Sequence, residues 1–125
     1  MRRVSKLSLL SELRRLLSRP DTRVVARKLK ICGHSTWGDD CDKETGPRDI
    51  VIVYDPRRDG RVRIVIHELL HVWLDWYLGA GYDMTYELEE AMICSLEDRL
   101  YAYLHDPKHE KLLESWNKAI ERKTR

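Results

Sequence analysis

Five consecutive residues, His67-Glu68-Leu69-Leu70-His71, have the types and spacing that can hold a metal ion and use it. Two histidines four apart on a helix share one face about one turn apart, close enough to bind the same ion. Glu68 lies beside that pair, placed to take a proton from a metal-activated water. The H-E-x-x-H pattern therefore predicts one Zn2+ per chain, with His67 and His71 as ligands and Glu68 as general base. By average residue usage, chance would produce this pentapeptide in roughly one chain in a hundred of such length.

A catalytic zinc commonly has three protein ligands and leaves its fourth position to water. The downstream segment offers Glu87, Glu89, Glu90, Glu97 and Asp98. At 100° per residue, Met92, Ile93, Leu96, Leu100 and Tyr103 define the apolar face of that segment. Glu89 falls at the centre of the face, one turn before Met92 and Ile93, while Glu90 lies about 100° round toward Glu97. A carboxylate at the centre of an apolar stripe is costly unless it is paired or metal-bound. This phasing selects Glu89 as third ligand, with Glu90 the rival that a one-residue phase error would substitute. Asp75, four residues after His71, either orients a ligand histidine or is a solvated or capped carboxylate, the simpler reading.

The elements that must position these residues follow from periodicity. Residues 5–18 carry an amphipathic leucine pattern that stops before Pro20, which predicts a helix. Residues 22–31 alternate roughly, as a half-buried strand does, and residues 33–49 read as loop or loose hairpin, rich in Gly and polar side chains. Residues 49–55 are β-branched and bounded by Pro47 and Pro56, the clearest strand. A turn over 56–60, with Asp59 as candidate cap, leads to a helix over 61–78 that is apolar almost all round and stops at Gly79 and Gly81. A second long helix is expected over 85–104 and, after Pro107, an amphipathic one over 109–122 built on Leu112, Leu113, Trp116 and Ile120. This order predicts one α+β domain spanning 1–125. A short antiparallel sheet would pack against the H-E-x-x-H helix, flanked by two C-terminal helices and an N-terminal one.

The segment from Glu89 to Tyr101, taken with H-E-x-x-H, resembles the zincin metallopeptidases of the glutamate-liganded (gluzincin) branch. There the motif is followed by a glutamate on a downstream helix, at a separation that both Glu89 and Glu90 meet. The likeness covers roughly residues 49–104. It is similar to small phage and prophage proteins with H-E-L-L-H motifs, of the minimal SprT-like and ImmA/IrrE type. The chain lacks the E-x-x-A-N-x-F-A signature of ImmA/IrrE and the cysteine-rich ribbon of full SprT-like proteases, so neither family's substrate carries over. The resemblance implies a zinc-dependent endopeptidase: Zn2+ on His67, His71 and Glu89, with Glu68 as base and a protein or peptide as substrate. Strand 50–54 would be the edge strand that binds extended substrate. Tyr82, Tyr86, Tyr101 or His105 would donate to the oxyanion. The rival reading is a non-catalytic, metal-binding zincin scaffold that acts on a host regulatory protein or on nucleic acid.

Composition narrows the partners. The chain has 125 residues, 42% hydrophobic and 35% charged, with 23 basic against 21 acidic residues for a net charge of +2. That balance argues against bulk electrostatic binding of nucleic acid. Arg2, Arg3, Lys6, Arg14, Arg15 and Arg19 nevertheless make the first helix basic, either as a solvated face or as a docking face for nucleic acid or an acidic partner. No stretch approaches the ~20 apolar residues of a membrane helix, and no signal peptide is recognisable, so a cytoplasmic location is expected, the host cytoplasm if the gene is viral. Cys32, Cys41 and Cys94 form an odd set, suited to reduced thiols. Cys32, His34 and Cys41 match no standard zinc spacing and read as ordinary loop residues; Cys94 reads as a small packed residue. Trp73, Trp76 and Trp116 are assigned to the core, and Trp37 either to a substrate groove or to the core.

Overall fold

Helix α2 (Arg61–Leu78) is the element around which everything else is arranged. Its first turns carry Val62, Ile64, Val65 and Ile66, β-branched residues with weak intrinsic helix preference. Burial holds them helical: all four are buried, as are Leu69, Leu70, Val72, Trp73 and Leu74 farther along. At about 1.5–3 kcal/mol for each fully buried large aliphatic side chain, this packing outweighs a propensity deficit of a few tenths per residue. The computed structural model describes residues 5–38, 41–42, 46–78 and 84–124. Gly79 and Gly81, expected to end α2, lie outside them.

Helix α1 (Lys6–Leu17) is capped by Ser5, whose side chain accepts from the Ser8 N–H, and buries Leu9, Leu10, Leu13, Leu16 and Leu17. Lys6 and Arg15 are exposed and Arg14 is half-buried, and two of these cations, with Arg19 just beyond the helix, have partners in the fold. The Arg14 guanidinium sits 5.6 Å over the Trp116 ring, Arg15 sits 5.9 Å over Trp76, and Arg19 pairs with Asp21 at 3.1 Å. Arg2 and Arg3 lie outside the described residues.

Three strands, β1 (Arg23–Ala26), β2 (Gly33–Thr36) and β5 (Val51–Tyr54), form one sheet in the order β1-β5-β2. A two-residue antiparallel pair, β3 (Cys41–Asp42) with β4 (Gly46–Pro47), lies between β2 and β5 in the chain. The main sheet is mixed rather than antiparallel as expected: β1 runs parallel to β5 (Val24 opposite Ile52), and β2 antiparallel to it (Ser35 opposite Ile52). The strand expected at the edge, β5, is central, which its buried Ile52, Val53 and Tyr54 require. The edge on the α2 side is β2, whose Gly-His-Ser-Thr sequence has no apolar alternation and reads as loop.

Helix α3 (Tyr86–His105) begins at Thr85, whose hydroxyl accepts from the Leu88 N–H at 3.2 Å. A 3-10 turn at Pro107–His109 leads into α4 (Glu110–Lys123), which buries Trp116, Ala119 and Ile120. Helices α1, α3 and α4 and strands β2 and β5 all pack on α2. The result is a small α+β domain. No helix among the described residues is long and apolar enough to cross a membrane.

Candidate metal centre

His67 and His71 project from consecutive turns of α2 with ring centroids 5.0 Å apart. Both present Nε2 to one carboxylate. Glu90 Oε1 lies 2.7 Å from His67 Nε2, and Glu90 Oε2 lies 3.1 Å from His71 Nε2. The donor atoms of His67, His71 and Glu90 all fall within 4.8 Å of one another. Two imidazoles and a carboxylate around one point are a donor set suited to a divalent ion such as zinc.

Each histidine is also held from behind. His67 Nδ1 is 2.6 Å from Glu97 Oε1, and His71 Nδ1 is 3.4 Å from Glu89 Oε1. Glu97 is buried and is gripped by Arg63 Nε, while the same guanidinium bonds Asp98 and lies 5.1 Å over the Tyr101 ring. A carboxylate on Nδ1 fixes ring orientation and keeps the proton there, which frees Nε2 as a ligand. Burial pulls the His67 pKa down, but the hydrogen bond to Glu97 and the charges of Glu90, Glu68 and Glu97 outweigh it and leave the pKa raised. Burial likewise pushes Glu97 up, and its bonds from His67 and Arg63 bring it net below its ordinary value. The site is thus a place where positive charge is favoured.

Helix α3 is turned by one residue from the sequence-derived phase. Its buried stripe is Ile93, Glu97, Leu100 and Leu104, and Met92, expected inside, is 38% exposed. That rotation brings Glu90 rather than Glu89 to both Nε2 atoms and leaves Glu89 behind His71. Sequence reasoning named Glu97 only among several carboxylates. The signal for it was the spacing Glu90, Ile93, Glu97, Leu100, Leu104, alternating three and four residues along a single face.

Glu68, between the two histidines in sequence, is 7% exposed, and its Oε1 accepts from the Ser35 hydroxyl at 2.9 Å. Ser35 comes from β2, so its role was not legible in the sequence. Strand β2 reaches this position because Gly33 has no side chain: a Cβ there would stand 2.8 Å from Ile64 Cγ2 and 2.8 Å from the Val53 carbonyl oxygen. Above the site is a cavity of about 560 Å³, walled by Ile31, Gly33, Trp37, Ile64 and Tyr86 around the histidines and glutamates. Trp37 lines the cavity and donates its indole N–H to Asp75 at 2.9 Å, so Asp75 anchors a wall rather than a ligand. Of the aromatic candidates for an oxyanion donor, Tyr86 borders the cavity; its phenol pKa is raised, first by the Glu90 charge. Tyr101 lies under the Arg63 guanidinium and meets the His105 ring edge-on, and Tyr82 lies outside the described residues.

His67, Glu97 and Cys94 form a second cluster of ligand types. One feature argues against an ion there: Arg63 already neutralises Glu97. Cys94 is exposed rather than packed, and Cys32 is exposed at the cavity rim beside His34. The Cys32, His34 and Cys41 grouping depends on the Cys41 side chain, which lies outside the described residues. Comparison with protein-family models, with curated proteins and with solved structures finds no match to this chain.

Proposed function

We propose that this protein is a zinc-dependent endopeptidase with a zincin-like site, in which His67, His71 and Glu90 hold the ion and Glu68 is the general base. The observation that carries this reading is the convergence of both Nε2 atoms on Glu90, with each Nδ1 backed by a further carboxylate. When bound, zinc supplies Lewis acidity, acidifying water and polarising a carbonyl.

The chain's own residues account for the rest. Glu68 accepts the proton of the attacking water and returns it to the leaving amine; Ser35 holds the carboxylate toward the cavity in which that transfer occurs. Tyr86 is the phenol available to a carbonyl oxygen developing negative charge. The edge of β2 offers backbone groups to an extended peptide, while Ile31, Trp37 and Ile64 exclude water around it.

Elemental analysis and a casein-cleavage assay on wild type and Glu68→Gln test this proposal together. Both proteins should contain one zinc per chain, and only wild type should cleave. Absence of stoichiometric zinc, or zinc content unchanged in His67→Ala, would overturn the metal site. Zinc in both proteins with cleavage by neither would favour the scaffold reading instead.

A further inference from the structure

The cavity is electrically lopsided. On its α3 side stands Glu90, beside Glu97 in its pair with Arg63, while at the N-terminal end of β2 the loop 27–32 carries Arg27, Lys28 and Lys30 without an acid, and the loop 55–60 sets Arg57 and Arg58 against Asp55 and Asp59. Those loops are stapled together. Asp55 is fully buried, accepts from the Leu29 and Arg57 N–H groups at 3.0 Å each, and pairs with Arg57 at 2.6 Å. Arg57 donates to the Leu29 carbonyl at 3.2 Å and Arg58 to the Lys30 carbonyl at 3.4 Å. The cations are therefore carried on a braced platform rather than on a free strand.

Arg27, Lys28, Lys30 and Arg58 are exposed on this platform, and among the described residues none of the four has an ion-pair partner. Arg27 reaches to 3.5 Å from His34 Nε2, so the charge extends over β2 itself. The outer edge of β1 is bridged by Thr124 at Val24, whereas β2 borders the cavity. An added strand running antiparallel to β2, the more stable ladder per residue, would place its C-terminal end beside Gly33 and these loops.

We propose that the cationic rim of Arg27, Lys28, Lys30 and Arg58 selects peptide substrates that carry Asp or Glu on the C-terminal side of the segment paired with β2. This rests on the endopeptidase reading and names its substrate class. The preference is electrostatic, so it favours one register of the bound peptide and weakens with salt.

The probe is zinc-loaded Glu68→Gln with two fluorescein-labelled peptides of identical composition, their glutamates placed either after or before a central apolar stretch. Anisotropy should show roughly tenfold tighter binding of the first peptide, as a few exposed charge pairs can supply. That gap should close at about 0.5 M salt and vanish in the Lys28→Glu/Lys30→Glu variant, which keeps its zinc and its thermal stability. Equal binding of the two peptides, or preference for the second, overturns the proposal. Tighter binding of a single-stranded DNA oligonucleotide than of either peptide also overturns it. Wild-type cleavage of casein without this preference sinks the rim alone, whereas the preference without cleavage under any condition sustains the rim and sinks the catalytic reading.

Discussion

Replacing Glu97 by Gln keeps the side chain's size and removes the charge that faces His67 Nδ1. The contact is 2.6 Å, and Glu97 is only 8% exposed, so the bond is short and shielded from solvent. Carboxylates that back a ligand histidine are worth about 10–100-fold in metal affinity, or about 1.4–2.7 kcal/mol. A short buried contact belongs in the upper half of that range. Glu89 stands 3.4 Å from His71 Nδ1, too long for a strong bond, so Glu89→Gln should cost about tenfold or less. Glu90→Gln weakens a residue shared by both Nε2 atoms and should cost more than about 100-fold, beyond the range for an outer carboxylate. Competition for zinc against a chromogenic chelator, read for the three variants side by side, gives the order. Thermal melts of the metal-free proteins check that the fold survives. If Glu89→Gln released more zinc than Glu90→Gln, the helix phase argued above would be wrong. If Glu97→Gln left zinc affinity within twofold of wild type, the backing role of Glu97 would be wrong.

Three further outcomes are expected. Gly33→Ala should destabilise the protein by about 1–3 kcal/mol in urea titration, because its Cβ would stand 2.8 Å from both Ile64 Cγ2 and the Val53 carbonyl; wild-type stability would mean that β2 does not lie this close on α2. Asp55 is held well below its ordinary pKa of 3.8, first by the hydrogen bonds from the Arg57 side chain and then by the Leu29 N–H. A depressed carboxylate contributes stability that is complete above its unfolded pKa and is lost as pH falls through the folded one. Wild type should therefore weaken below about pH 4, while Asp55→Asn should be less stable at neutral pH and show a shallower acid loss; parallel pH–stability curves would refute this. Ser35→Ala should lower kcat by about tenfold with zinc content and KM unchanged, and Ser35→Thr should restore most of it, since the hydroxyl holds Glu68 rather than the ion; loss of zinc in Ser35→Ala would instead point to a structural role.

The sequence was sufficient for what depends on neighbours within a few residues. Residues 61–78 form α2 as their apolar content predicts, and the four-residue spacing alone puts His67 and His71 on one face with Glu68 beside them. The other three helices fall within a residue or two of the patterns that announced them. The tertiary structure alone decided three things. It turned α3 so that Glu90 faces the histidines. Met92, Ile93 and Leu96 fit two neighbouring phases equally well by hydrophobicity, and the choice is made by Glu97 docking on His67 and Arg63 across the helix pair. It made β2 an edge strand at the site, although Gly33, His34, Ser35 and Thr36 have no strand pattern, because the missing Gly33 side chain lets the backbone settle on α2 while β5 supplies the ladder. It also ran β1 parallel to β5, a pairing between segments more than twenty residues apart. Periodicity records how a segment divides its own faces between core and water; which face meets which neighbour is set by packing between distant segments, and it is at that level that Glu90 rather than Glu89 comes to face both Nε2 atoms.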